Sequence, residues 1–160
     1  MHHRPMATAL LSDGQRAFLA GARTATLATI APDGTPRLVP ICFVVEGDVL
    51  YSPLDEKPKD VWDVRHLARV RDVLARPDVA LLVHRWSEDW SELGWLRLRG
   101  DAWLVEPADA PAEHAAVVAE LRAKYPQYAS HRLEDRPLIR IRMTGASSWG
   151  SLGAGLGVSG

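Results

Sequence analysis

Two lysines are the clearest candidates for binding chemistry in this chain. Lys57 and Lys59 lie two residues apart, just beyond a predicted strand that ends at Ser52. In extended backbone, residues i and i+2 point to the same side. The two ammonium groups can then hold a phosphate through charge-assisted hydrogen bonds. The alternative is that both are ordinary solvated lysines of a turn.

A third cation comes from the helix that the pattern predicts over Asp60–Ala75, ended by Pro77. On a helical wheel, Arg71 falls in the middle of the apolar face, whereas Asp72 lies on the opposite face. The wheel assigns five residues to the apolar face: Val61, Val64, Leu67, Ala68 and Leu74.

A guanidinium on an apolar face needs a partner. Arg71 therefore either forms an internal ion pair with Asp60 or Asp63, or binds an anion together with Lys57 and Lys59.

The other titratable residues give no catalytic assignment. No general-acid pair, nucleophile elbow or metal-ligand spacing occurs in the sequence, so the catalytic residue is unknown and no metal is predicted. His66 and His114 fall on predicted helix surfaces and are expected to be solvated, whereas His84 lies on a strand and can face a substrate. Cys42 lies in the most apolar strand and is expected to be a buried, inert thiol.

Three of the six tryptophans, Trp86, Trp90 and Trp95, surround an acidic loop. They either line a planar ligand or form a dimer contact, where aromatic residues are enriched. Trp62 and Trp103 have core-like neighbours and are expected to pack in the core.

The elements that position these residues are mostly strands. Alternation and Asp-Gly turns predict a meander of three strands from Thr24 to Ser52. Its middle strand, Leu38–Val45, is apolar on both faces apart from Pro40, which indicates that both faces are covered. About six strands with two longer helices and one short helix predict a mainly β, α+β fold, a small antiparallel barrel. A helix through Ala22, a strand Asp78–Trp86, a strand Trp95–Val105, a helix Ala108–Lys124 and a strand Leu138–Met143 complete the pattern.

Composition favours one domain over residues 1–160, with flexible ends at 1–9 and 150–160. A net charge of −1 gives no global field for nucleic acid or acidic membranes. A binder of nucleic acid through Arg65, Arg69 and Arg76 is disfavoured for the same reason. The chain has no run of 18 apolar residues and no signal-peptide pattern, so a soluble cytoplasmic protein is expected.

The order and spacing of six segments resemble the pyridoxamine-phosphate-oxidase-like split-barrel family, in particular its deazaflavin-dependent actinobacterial branch. The resemblance covers roughly residues 13–149. The segments are ATLATIAPDGTPRLVPICFVV, KPK, LARVRDVLARPDVALLV, SEDW, GWLRLRGDAWLVE and LIRIRMTGASSW.

This resemblance implies a homodimer with two cofactor grooves at the subunit interface, each holding FMN or the deazaflavin coenzyme F-420. Backbone beside the ring would come from Pro40, Ile41 and Cys42. Tyr51 and Ser52 would lie near the ribityl chain, and the phosphate would face the lysine pair and Arg71. Trp149 would cover the cofactor across the dimer. Three residues would line the substrate: His84, Trp86 and Trp90.

The expected activity is hydride transfer from a reduced deazaflavin to a conjugated, planar small molecule. In such chemistry the protein supplies binding and orientation, which agrees with the absence of acid–base motifs. The alternatives are an FMN-dependent oxidoreductase and a non-catalytic flavin- or haem-binding module on the same fold.

Overall fold

Seven antiparallel strands and three α-helices build the chain, in a computed structural model that describes residues 9–54 and 63–152. This is the predicted α+β split barrel. The helices are Asp13–Gly21 (α1), Ala68–Ala75 (α2) and Pro111–Lys124 (α3). The strands are Ala25–Ile30 (β1), Pro36–Ile41 (β2), Val44–Glu46 (β3), Val49–Ser52 (β4), Asp78–Arg85 (β5), Gly94–Val105 (β6) and Leu138–Gly150 (β7).

Several predictions concern residues outside these described ranges. They include most of the expected flexible ends at 1–9 and 150–160, the start of the predicted second helix, and five side chains. Those side chains are Lys57, Lys59, Asp60, Val61 and Trp62.

The strand order, β2-β1-β5-β6-β7-β4-β3, places two consecutive strands at opposite edges of the sheet. β2 ends at Ile41 and β3 begins at Val44, so the two edges are joined by only Cys42 and Phe43. Three residues of extended chain span roughly 10 Å. The sheet must therefore curl until its edges almost meet, and the gap between them is the split of the barrel.

The predicted single strand Leu38–Val45 was thus wrong, because the chain leaves one sheet edge and joins the other at Cys42. Nor are both faces of this stretch covered within one chain, since Leu38 is 68% exposed. The turns that flank it were predicted correctly. Gly34 and Gly47 have φ of +86° and +60°, the left-handed conformation that glycine allows.

Apolar residues pack in two clusters. The first fills the barrel and includes Leu27, Phe43, Leu81 and Leu98, all fully buried. The second lies between the sheet and α3, and its members include the three helix residues predicted to face inward: Val117, Val118 and Leu121.

The second predicted helix needs correction. Its described part begins with a 3-10 turn, Val64–His66, and the extended ψ of Leu67 (140°) separates this turn from α2. One continuous wheel therefore cannot hold across Leu67. Asp72 is buried and Leu74 is 62% exposed, the reverse of the predicted faces. Arg71 is exposed as well, rather than lying within an apolar face.

Asp72 is buried because three elements meet at its carboxylate. Its Oδ2 accepts hydrogen bonds from Thr29 Oγ1 of β1 at 2.7 Å and from Arg37 Nε of β2 at 2.8 Å. A buried carboxylate needs such partners, and here they fasten the edge strand β2 to α2.

Two further residues differ from expectation. Trp103 is 37% exposed instead of lying in the core, and the guanidinium of Arg140 lies 4.7 Å from its ring centroid. His114 is buried instead of solvated, with Nε2 at 2.6 Å from the carbonyl oxygen of Arg136. His66 is exposed, as predicted. Helix periodicity alone misses the segment containing Arg136, which covers this side of α3.

None of the helices within the described ranges is long and apolar enough to span a membrane.

The faces of α2 can be tested with a pair of substitutions. Asp72→Ala should lower the free energy of unfolding by about 2 kcal/mol, because it leaves the buried Thr29 hydroxyl without its acceptor. Leu74→Ser should change that energy by less than about 0.5 kcal/mol, because Leu74 is exposed. Denaturant unfolding of both variants measures the difference. Equal losses, or a larger loss for Leu74→Ser, would restore the wheel-based orientation.

Candidate functional site

A cavity of about 190 Å³ opens at the split of the barrel. One wall consists of Pro40 and Ile41 at the end of β2 and of Cys42, which belongs to the segment Cys42-Phe43 that joins β2 to β3 and is called the crossing segment below. The other wall includes Ser52 at the end of β4. Four of the predicted cofactor residues therefore lie around one cavity. Its remaining lining residues are Thr24, Pro53 and Arg69.

The cavity has an open strand edge along one side. β2 is the terminal strand of the sheet and pairs only with β1 among the described strands. An edge strand presents backbone N–H and C=O groups on its unpaired side. A ligand in this cavity thus meets backbone donors and acceptors, as well as the apolar surfaces of Pro40 and Ile41.

The crossing segment is fixed from two sides. From β4, Ser52 Oγ donates a hydrogen bond to the carbonyl oxygen of Cys42 at 2.9 Å. From the end of α3, the hydroxyl of Tyr125 accepts the N–H of Phe43 at 3.0 Å and donates to the carbonyl oxygen of Arg23 at 2.9 Å. These bonds satisfy buried backbone groups at the point where no sheet partner can.

Lys124 also holds the crossing segment, and together with Tyr125 it forms what is called the anchor below. Its Nζ donates to the carbonyl oxygen of Phe43 at 2.9 Å and lies 4.0 Å from the Phe43 ring centroid. Burial lowers the pKa of Lys124 from 10.5 to about 8, and the positive charge of Arg23 acts in the same direction. Between these two values the native state binds fewer protons than the unfolded chain. The contribution of Lys124 to the free energy of unfolding therefore rises with pH over that range.

Cys42 is half-buried, not fully buried, because it lies in the crossing segment between strands. It contributes to the cavity wall, and its side chain also packs against the cluster under α3.

Tyr51 points away from this cavity, because adjacent residues of a strand face opposite sides. It packs in the cluster under α3, and its hydroxyl donates to Glu113 Oε2 at 2.5 Å. Burial, with this bond to Glu113, raises the pKa of Tyr51 to about 12. The phenol is therefore neutral at physiological pH, and its hydrogen bond to Glu113 connects β4 to α3.

The outer face of the barrel carries a second group of candidates. Strand register places His84, Trp95 and Trp149 in one row across β5, β6 and β7. The next row holds Leu82, Arg97 and Ser147. The side chains of Leu82 and Trp149 are exposed. Side chains in such rows are direct neighbours. This face, from Leu38 on β2 to Trp149 on β7, is called the outer face below.

Three other predicted site residues that the structure describes are not among the residues lining the cavity. Trp86 and Trp90 are strongly exposed in the connection between β5 and β6. Arg71 is exposed on α2 and is not among the cavity's lining residues. Asp63, offered as its partner, pairs instead with Arg65 at 3.0 Å.

The end of β7 is more ordered than the predicted frayed tail. Gly150 pairs with Gly94, and the N–H of Ser151 donates to the carbonyl oxygen of Leu93 at 2.9 Å. Arg85 also donates to the carbonyl oxygen of Ser151. Trp149 is therefore held at a fixed position on the outer face.

Sequence reasoning missed the anchor formed by Lys124 and Tyr125. The pair Tyr125-Pro126 was read only as a helix stop. The available signal was a lysine and a tyrosine together at the end of an amphipathic helix, where both can reach backbone carbonyls beyond their own element. Their partners, Phe43 and Arg23, are 81 and 102 residues away in sequence, which periodicity cannot show.

The chain belongs to the pyridoxamine 5'-phosphate oxidase family, whose model matches residues 11–150. That family binds flavin-type cofactors and includes oxidoreductases. None of the curated proteins matches this chain.

Solved structures share the fold at low sequence identity. The conserved hypothetical protein Rv2991 from Mycobacterium tuberculosis is 21% identical, with a TM-score of 0.69 over 93% of this chain and 91% of that chain. An F420 reductase is 24% identical, with a TM-score of 0.61 over 86% of this chain and 98% of that chain. HutZ, the heme storage protein from Vibrio cholerae, is 16% identical, with a TM-score of 0.63 over 82% and 89% of the two chains.

Proposed function

We propose that this protein is a cytoplasmic oxidoreductase that uses the reduced deazaflavin coenzyme F-420 to deliver a hydride to a conjugated, planar small molecule. The observation that carries the proposal is the cavity at the split of the barrel. It joins an open strand edge, two apolar residues and the hydroxyl-bearing end of β4. A flavin-like ring needs this combination of backbone hydrogen bonds at its edge and apolar contact on its face.

In this proposal the chain's own residues bind and orient. The backbone at Pro40, Ile41 and Cys42 holds the polar edge of the ring, and Ser52 lies toward the ribityl chain. Lys57 and Lys59 hold the phosphate, with Arg71 as the third cation. When bound, the cofactor supplies the hydride. A solvent proton completes the reduction, because the described residues that line the cavity include no carboxylate or histidine.

The cavity is smaller than the 300–1,000 Å³ typical of a pocket for a whole cofactor. It can hold only part of such a molecule, so the rest of the molecule needs further walls. We propose that a second copy of the chain supplies them in a symmetric homodimer, with Trp149 of that copy over the cofactor. The outer face supports this: Leu38, Leu82 and Trp149 remain exposed there in the single chain.

The second candidate is a non-catalytic flavin- or haem-binding module. The names of two structural neighbours support this candidate, since one is a heme storage protein and the other a heme binding protein. FMN-dependent oxidation is the third possibility, and one titration series separates all three.

The cofactor preference has a direct test. Coenzyme F-420 should bind more tightly than FMN or haem, because Lys57, Lys59 and Arg71 also attract the cofactor's acidic tail. Lys57→Ala should weaken F-420 about ten- to a hundredfold, as expected for the loss of one charge-assisted bond. Fluorescence and absorbance titrations measure the affinities, and Arg132→Ala, which changes an exposed arginine outside the cavity lining, serves as the control. Tighter binding of FMN or haem would replace the deazaflavin assignment, and an unchanged affinity of Lys57→Ala would remove that lysine from the site.

The dimer should depend on the outer face. Light scattering should give twice the chain mass of 17.6 kDa. Leu82→Arg should shift the population to monomer by placing a cation on that face. Leu74→Arg changes another exposed leucine, on α2, and should leave the dimer intact. A monomeric wild type would exclude the dimer, and a dimeric Leu82→Arg variant would move the interface elsewhere.

A further inference from the structure

We propose that the outer face contains a phosphate-binding cleft formed by Arg97 and Arg99. A cavity of about 390 Å³ lies against these two arginines on β6. Its other wall is β7, with Gly145, Ala146 and Ser147. Among the described residues, this cavity shares no lining residue with the one at the split of the barrel.

The two guanidinium groups are available for an anion. Arg97 and Arg99 alternate outward on one strand, and both are exposed. Within residues 9–54 and 63–152, neither forms an ion pair or a side-chain hydrogen bond. The next outward acid on the strand, Asp101, is already bound to Arg142 at 3.0 Å.

The neighbouring arginines of the sheet differ from this pair. Arg140 and Arg142 of β7 bind Glu113 and Asp101, respectively. Both of these arginines thus have carboxylate partners. The pair on β6 instead faces a cavity.

Local backbone geometry opens the cleft. The register of β6 and β7 shifts between Arg99 and Gly100, which marks a β-bulge. Bulges re-aim side chains and are enriched next to binding sites. Opposite Arg99 stands Gly145; a Cβ added there would lie 3.0 Å from Arg99 Nη2. The missing side chain gives the guanidinium its space beside the cavity.

The geometry selects a phosphate group over a carboxylate. Arginine side chains two residues apart on a strand begin roughly 6.7 Å apart. A tetrahedral dianion can accept hydrogen bonds from both forks at once, whereas a carboxylate is satisfied by one. Ser147, opposite Arg97, adds a hydroxyl donor to the same cavity.

An aromatic surface adjoins the cleft. Trp95 and Trp149 are paired across β6 and β7, one row from Arg97, whose guanidinium lies 5.3 Å from the Trp95 ring centroid. A ligand that carries a planar ring beside its phosphate can place the ring there. The chemical class is therefore a phosphate ester of a small molecule, with a nucleoside monophosphate as a suitable probe.

One chain supplies the lining of the cleft, so the proposal does not require the dimer, although both use the outer face. It also agrees with a symmetric interface across the outer face. Such an interface would bring four guanidinium groups close together, which is unfavourable without counter-anions.

The test is a titration of the intact protein with inorganic phosphate, observed through the arginine Nε–H signals in nitrogen-15 NMR spectra. The signals of Arg97 and Arg99 should shift with saturation. Arg97→Gln and Arg99→Gln should each weaken binding about tenfold, the loss of one charge-assisted contact. Arg76→Gln, which removes an exposed arginine at the end of α2, should bind as the wild type does.

Parallel titrations with AMP and adenosine separate the possible sources of affinity. Binding of AMP at least as tight as that of phosphate, with much weaker binding of adenosine, supports the cleft as a phosphate site. Adenosine that binds as tightly as AMP would overturn it, since the ring alone would then account for binding. Non-saturating shifts, or unchanged affinity in both glutamine variants, would also overturn it.

Discussion

The anchoring of the Phe43 peptide by the end of α3 is the constraint on which the barrel depends. Its N–H and C=O lie where the chain passes from one sheet edge to the other, so no strand can pair with them. Tyr125 and Lys124 supply the missing partners, and Ser52 does the same for the carbonyl of Cys42. Without these bonds, buried backbone groups would lack partners at the one point that joins the two halves of the sheet.

The edge strand β2 is held at both ends as a result. The anchor fixes its carboxyl end, while Arg37 binds the buried carboxylate of Asp72 near its amino end. A strand fixed in this way keeps its open edge at a constant position beside the cavity. Rigid placement of backbone groups is what cofactor binding requires, because misplacement of a reacting ring by 1 Å is costly.

Strand content, turn chemistry and the α+β barrel follow from the sequence because each rests on local patterns. Gly34 and Gly47 mark their turns, and alternation assigns Ile139, Ile141 and Met143 to the core. What failed needed long-range information. The break at Cys42 depends on sheet closure, and the faces of α2 depend on one residue, Leu67, leaving helical geometry. His114 is buried by a segment about 20 residues further along the chain.

The grouping of Pro40, Ile41, Cys42 and Ser52 was expected from family resemblance, and the structure brings all four to one cavity. Tyr51 is separated from them because it alternates to the opposite face of the same strand. Local patterns also did not show the register that sets Arg97 and Arg99 opposite Ser147 and Gly145, since it depends on a bulge between distant strands.

Chemical protection of Cys42 tests the central claim, that the cofactor ring occupies the cavity at the split of the barrel. Cys42 is the only cysteine in the chain and is one of the residues that line that cavity, so its alkylation reports whether a ligand covers this part of the wall. At a concentration of F-420 about 100 times its Kd, alkylation by iodoacetamide should slow by about a hundredfold, because only free protein reacts. An unchanged rate, with binding confirmed by absorbance in the same sample, would contradict the claim and place the ring elsewhere.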